Sequence, residues 1–201
     1  MRHPQPGDLG AETGLRVRSQ DADISPAAYR QLPKHPLCVV LDELRSAFNV
    51  GSVFRTADTA RLHSVVTCGY TAHPPHAKLE KTALGALAYV DTRHFADAGA
   101  AVETLRSEGF WIYGVETTSH SQSYCAVAYP QPLALVFGNE ALGVSPPVLC
   151  RCDALVQIPV FGFKNSLNVA AAVAVVVFEV LRQWGKLVPA PLASLHARGS
   201  A

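Results

Sequence analysis

IPVFGFKNSLNVAAAVAVVVFEVLRQW, from Ile158 to Trp184, is the stretch whose reading decides the fold. A short strand ends at Pro159 and a glycine-containing turn follows. Ser166-Leu167-Asn168 then opens a helix that is apolar on nearly every side. Surface helices carry one apolar stripe, so a helix greasy all round is expected to be buried all round. A polar Ser-x-Asn set at the mouth of such a helix is an unusual use of buried space and marks a candidate site. The apolar run Leu167–Phe178 is too short to span a bilayer and suits a buried helix.

Working outward, elements alternate. Strands are expected at Leu37–Leu41, Ser64–Cys68, Tyr89–Val90, Phe110–Val115, Leu133–Phe137 and Leu155–Ile158. Helices are expected at Asn49–Arg61, around Lys78–Leu84, and at Asp97–Glu108, Pro146–Arg151 and Ser166–Trp184. Continuous apolar strands separated by helices imply an α/β fold, a parallel sheet covered on both faces. Residues 1–34 read as a loosely packed extension with a short helix near Pro26–Leu32. Residues 35–184 read as the folded domain and 185–201 as a weakly ordered tail.

The 201 residues suffice for one domain with a full core, and 49% of them are hydrophobic. A net charge of +1 neither favours nor excludes a nucleic-acid partner, because local patches decide that. Five cysteines, an odd number with no C-x-x-C spacing, read as reduced core residues of a cytoplasmic protein. Eight histidines show no metal-ligand spacing, so no metal is expected. Neither a secretory signal nor a membrane anchor is indicated.

Ligands of open α/β sheets bind beyond the carboxyl ends of the strands. Three segments should lie there. In Asn49-Val50-Gly51-Ser52-Val53-Phe54-Arg55, helical spacing puts Val50, Val53, Phe54, Ala57 and Ala60 on one face and Asn49, Ser52, Arg55 and Thr59 on the other. Gly51 permits a close approach. Asn49 could equally be a helix cap and Arg55 a surface arginine. Gly138-Asn139-Glu140-Ala141-Leu142-Gly143 follows a buried strand and suggests a tight turn with backbone N–H groups facing a ligand. It is not a Walker loop, since Val144 stands where lysine is required. Glu140 fixes a neighbour or is merely solvated. In the third segment Ser166 could cap the helix, which would leave Asn168 unexplained.

Taken together and in this order, the three segments resemble the sequence motifs of the SpoU (TrmH-like) RNA 2′-O-ribose methyltransferases of the SPOUT superfamily. The matching residues are Asn49, Gly51 and Arg55, then Gly138, Asn139, Glu140 and Gly143, then Ile158, Pro159, Ser166, Leu167, Asn168 and Val169. Glu80–Ala86 also looks familial. The resemblance covers roughly residues 36–184. It implies a C-terminal deep trefoil knot, which periodicity would never suggest because chains are unknotted by default. It implies a homodimer through the C-terminal helix, where Ala170, Ala171, Ala172 and Ala174 would let a second helix approach. It implies S-adenosylmethionine as cofactor, held mostly by backbone at Gly138, Gly143, Ile158 and Leu167, with Thr117 or Glu116 as further candidates. The catalytic set carried over is Arg55, Asn49, Glu140, Ser166 and Asn168.

Methyl transfer from a sulfonium to a ribose 2′-hydroxyl needs in-line placement and removal of one proton. The family assigns Arg55 to the hydroxyl. An arginine is protonated at neutral pH, so it also suits pinning a phosphate and stabilising developing alkoxide charge. Asn49 and Glu140 are expected to orient it, with Ser166 and Asn168 holding the ribose or that network. With only about 35 residues ahead of the domain, the chain resembles the compact members, which favours transfer RNA over ribosomal RNA. Arg16, Arg18, Arg30, Arg61 and Lys81 could merge into one basic patch in a dimer. Three rivals stand beside this reading: a catalytically silent RNA-binding factor on the same fold, a base-modifying SPOUT enzyme, and a Rossmann oxidoreductase, the last opposed by the missing glycine fingerprint. Phe163 and Asn165, beside Lys164, depart from the family pattern at the RNA-facing lip.

Overall fold

The computed structural model describes residues 25–187. Most of the expected N-terminal extension and C-terminal tail, with Arg16 and Arg18, lies outside them. The chain divides after Pro33 into two units. In the first, α1 (Pro26–Arg30) is capped by Ser25, whose Oγ accepts from Ala28 N at 3.2 Å.

The second unit is a seven-stranded sheet. Its strands are β1 (His35–Asp42), β2 (Leu62–Cys68), β3 (Asp91–Phe95), β4 (Trp111–Val115), β5 (Gln122–Ser123), β6 (Leu133–Phe137) and β7 (Ala154–Gln157). Their order is β3-β2-β1-β6-β4-β7-β5 and every pairing is parallel. Five helices of the unit are α2 (Ala47–Thr59), α3 (Ala77–Ala83), α4 (Ala98–Ser107), α5 (Pro146–Leu149) and α6 (Val169–Gln183).

Strand alternation divides the core into two layers. Leu37, Val39 and Leu41 of β1 face one way and pack with Val50, Val53, Phe54 and Ala57 of α2 and Val173, Val176, Val177, Val180 and Leu181 of α6. Cys38 and Val40 face the other way, with Ala101, Val102 and Leu105 of α4 and Val148 of α5. The α2 face therefore follows the sequence pattern. Trp184 Nε1 donates to Tyr129 O at 2.8 Å and ties down the end of α6.

Several expectations are corrected. Tyr89–Val90 is not a strand; Ala86–Ala88 is a 3-10 turn and the strand is Asp91–Phe95. That strand lies at the sheet edge with every residue exposed or half-buried, so no apolar run is required. The α6 helix is not buried on every side: Ala171, Val175 and Phe178 are exposed in the single chain. Of the five cysteines, all free, only Cys38 and Cys68 are buried, whereas Cys125 and Cys150 are exposed and so are not core residues. Burial pushes the Cys38 thiol up to about 12, leaving it protonated at neutral pH.

Candidate functional site

The carboxyl ends of the four central strands stand level. Leu41 of β1 pairs with Phe137 of β6, Phe137 with Val115 of β4, and Val115 with Val156 of β7. The chain order reverses here, β1 leading outward to β2 while β6 and β4 lie on its other side. Such a switch point is where α/β sheets hold ligands.

Ser46 caps α2, its Oγ accepting from Asn49 N at 3.3 Å. Asn49 is thus in the first turn rather than the cap, and its side chain is free to reach across. Asn49 Nδ2 donates to Glu140 Oε1 at 2.8 Å. The same carboxylate accepts from Arg45 N at 2.8 Å and Ser46 N at 3.2 Å. Asn168 Nδ2 donates to Asn49 Oδ1 at 3.1 Å. One chain of hydrogen bonds therefore joins all three motif segments. Burial acts to raise the Glu140 carboxyl, but the donors from Arg45, Asn49 and Ser46 outweigh it and hold it below its ordinary value.

Asn168, not Ser166, caps α6: its Oδ1 accepts from Ala170 N at 2.9 Å and Ala171 N at 3.4 Å. One amide thus does both jobs, a solution available to Asn because it carries an acceptor and a donor. Ser166 is exposed, and its Oγ donates to Asn165 Oδ1 at 3.4 Å. Arg55 is exposed on α2 and donates nothing to Asn49, Glu140 or Asn168. Six residues of helix carry it about 9 Å beyond Asn49. The structure thus brings Asn49, Glu140 and Asn168 together and leaves Arg55 and Ser166 outside their bonding.

The Gly138–Gly143 turn differs from expectation. Four of its N–H groups, those of Asn139, Ala141, Leu142 and Gly143, are bonded within the protein. Asn139 N and Gly143 N bond each other's carbonyls at 3.0 and 2.8 Å. Ala141 N and Leu142 N go to Asn139 Oδ1, Val144 N to Glu116 Oε2, and Ser145 N to the buried Asp42 Oδ2. Gly138 is needed because a Cβ there would collide with the backbone of Gly143 and Val144. Gly143 has φ +72° and faces Glu116, whose Oε2 holds the turn's exit. Glu116 Oε1 accepts from Thr117 N at 2.8 Å. Asp42 was missed in the sequence, as was Tyr70, whose hydroxyl accepts from the buried Asn139 Nδ2 at 2.6 Å. Asp42 ends an apolar run and Tyr70 follows a strand, signals too common to single them out. Gly51 lets Thr82 of α3 pack on α2, so its close approach is to protein rather than ligand.

From Ile158 to Leu167 no main-chain group is hydrogen-bonded to another main-chain group of the described residues. This segment leads from β7 to α6 with its N–H and C=O groups unpaired with other main chain among the described residues. Phe161 and Phe163 are fully exposed on it. Among the described residues there is no cluster of ligands suited to a metal, and no helix is long and apolar enough to cross a membrane.

Known proteins share this fold. A Staphylococcus saprophyticus protein assigned to the TrmH family of tRNA/rRNA methyltransferases is 30% identical over 163 residues, 81% of this chain and 65% of its own length. The chain thus spans slightly less than two thirds of that relative. The SpoU methyltransferase AviRb of Streptomyces viridochromogenes, solved with AdoMet, superposes with a TM-score of 0.68 at 28% identity, covering 82% of this chain and 66% of that one. A structure described for 2-OH methylation of C/U34 on tRNA gives a TM-score of 0.67 at 27% identity, covering 75% of this chain and 97% of that one. The sequence model of the SpoU rRNA Methylase family matches residues 36–178, which take in Asn49, Glu140 and Asn168 together with the sheet edge that gathers them, and the chain belongs to that family.

Proposed function

We propose that this chain is an RNA methyltransferase that uses S-adenosylmethionine and acts on a ribose 2′-hydroxyl, of transfer RNA ahead of ribosomal RNA. The observation that carries the reading is the Asn49–Glu140–Asn168 junction at the carboxyl edge of the sheet, with Arg55 exposed on the same helix. The neighbour concerned with 2-OH methylation on tRNA supports the acceptor and the RNA class.

The open backbone of Ile158–Leu167 fits a cofactor recognised by main-chain groups. Leu167 and Ile158 would hold it there, beside Gly138, Gly143 and Thr117. Because the N–H groups of 139 and 141–145 are engaged within the protein, that turn offers carbonyl oxygens, which suit an amino group. When bound, the cofactor supplies an electrophilic methyl on sulfonium. Arg55 places a fixed positive charge where alkoxide character develops on the ribose oxygen. Asn49, oriented by Glu140, fixes the start of α2, and Asn168 fixes the start of α6, so that two helices frame one pocket. Ser166, with an almost free hydroxyl, is left to meet the ribose. No metal is invoked.

The same reading makes residues 35–184 the catalytic unit, threaded as a deep trefoil knot near Gly138–Asn168. It makes the exposed stripe of α6 a dimer contact and puts the protein with its RNA in the cytoplasm. A silent RNA-binding factor is the second reading, favoured by the distance of Arg55 from the junction.

The test is transfer of labelled methyl to tRNA and, separately, rRNA that lack this modification, followed by nucleoside mass analysis. A 2′-O-methyl nucleoside from tRNA is expected; label on a base overturns the ribose assignment, and label only in rRNA overturns the substrate class. No label in either pool with the cofactor bound points to a missing partner or an RNA outside both pools, and no label with no cofactor binding favours the silent factor. Arg55→Ala should cut transfer by about 10²-fold or more, as loss of a charge-stabilising donor does, with cofactor affinity unchanged. Equal loss of both in a folded variant overturns its role.

A further inference from the structure

A cavity of about 450 Å³ opens beside the junction and takes in none of its three side chains. Arg45, Phe48, Tyr70, His73, His76 and Lys78 line it. Its size is within the range of small-molecule sites. Two features give it a chemistry. Phe48 and Tyr70 are 66% and 57% exposed, large rings turned to solvent rather than core. Cations line it and no carboxylate does.

The walls are held in place. The Tyr70 hydroxyl is gripped by Asn139 Nδ2 at 2.6 Å, and Asn139 is itself buried. The His73 ring stacks on His94 with centroids 3.7 Å apart. Arg45 N is bonded to Glu140, so the guanidinium extends from a fixed backbone. Phe48 directly precedes Asn49, so whatever lies against Phe48 is one residue from the junction.

We propose that this cavity receives an unstacked RNA nucleotide next to the one whose ribose reacts. The base lies against Phe48 and Tyr70, and its phosphate is met by Arg45 and Lys78. Exposed single-stranded bases stacked on aromatic side chains are the usual mode of RNA recognition, and cations contact the phosphates. The inference rests on the RNA reading above. It adds a specificity subsite, distinct from the cofactor and ribose positions.

The test is fluorescence anisotropy of the full chain with labelled single-stranded oligo(A) and oligo(U) ribonucleotides. Phe48→Ala and Tyr70→Ala should each weaken binding roughly five- to hundredfold, the loss of one stacked base. Tyr70→Phe, which keeps the ring, should bind nearly as the native chain. Lys78→Ala should lower the slope of log affinity against log salt by about 0.7. Cofactor affinity should be unchanged throughout; should Phe48→Ala fail to fold, Phe48→Leu removes the ring and keeps an apolar side chain. Native-like affinity in the folded ring variants overturns the proposal, as does absence of affinity in the native chain. So does a Phe48→Ala effect confined to self-association. Methyl transfer is read separately, so a chain that binds the oligonucleotides through these rings but transfers no methyl keeps the subsite and loses the enzyme.

Discussion

Glu140 uses both carboxylate oxygens to hold the loop ahead of α2, taking two backbone N–H groups and the Asn49 amide. A glutamine would keep one acceptor and turn an N–H₂ toward donors. Its folded pKa lies below the ordinary value of about 4.3, so its contribution is fully present above that pH and is lost as pH falls through the lowered value. Melting temperature followed from pH 7 to pH 3 should fall on the acid side in the native chain. In Glu140→Gln that acid limb should be shallower and the neutral plateau lower; identical curves would mean that the carboxylate is only solvated. The sequence shows the residues of the junction but not which of them touch. Asn49 and Ser46 both suit a cap, and only the backbone geometry decides between them. Ser166 and Asn168 suit a cap equally by residue type, and Asn168 takes the role because it lies one residue before the first helical turn.

At the scale of elements, buried strands were readable because they are unbroken apolar runs, and Leu133–Phe137 appears with the bounds expected. β5 has two residues and β3 is polar, so neither carries a pattern. The glycines of the β6 loop were legible as a tight turn, but their reason was not. They make room for protein, with the turn folding on itself and on Glu116. Gly138→Ala should therefore act on stability before it acts on chemistry. A methyl driven against backbone costs about 2 kcal/mol or more, a drop of roughly 4–8 °C for a chain of this size. Differential scanning calorimetry reads the drop. An unshifted melt with lost cofactor binding would instead mean that the glycine faces the ligand.

At the scale of the molecule, the residue pattern calls for a helix buried all round, and one chain buries only part of it. Val175 and Phe178 remain 37% and 38% exposed on α6, and Leu167 48% just before it. An apolar stripe of this kind on a helix that otherwise belongs to the core asks for a cover. If a second copy supplies it, Val175→Glu should shift the protein to monomer in sedimentation velocity at micromolar concentration, with its melt little changed. A native chain that sediments as a monomer would remove the dimer from the proposal. No periodicity argument could have separated the two cases, because a helix buried in a core and one buried between copies carry the same residues.

The hydrogen bond from Asn168 to Asn49 spans 119 positions, and that from Arg45 N to Glu140 spans 95. During synthesis the ribosome therefore releases Asn49 long before its partners exist. The start of α2 lacks its brace until Glu140 is made, and the bond that joins it to α6 cannot close until Asn168 has cleared the exit tunnel. A chain stopped between Glu140 and Asn168 would keep at least six of the seven strands and lack the whole bond from α6 to the start of α2, so the three segments are joined only after every strand that carries them has been made.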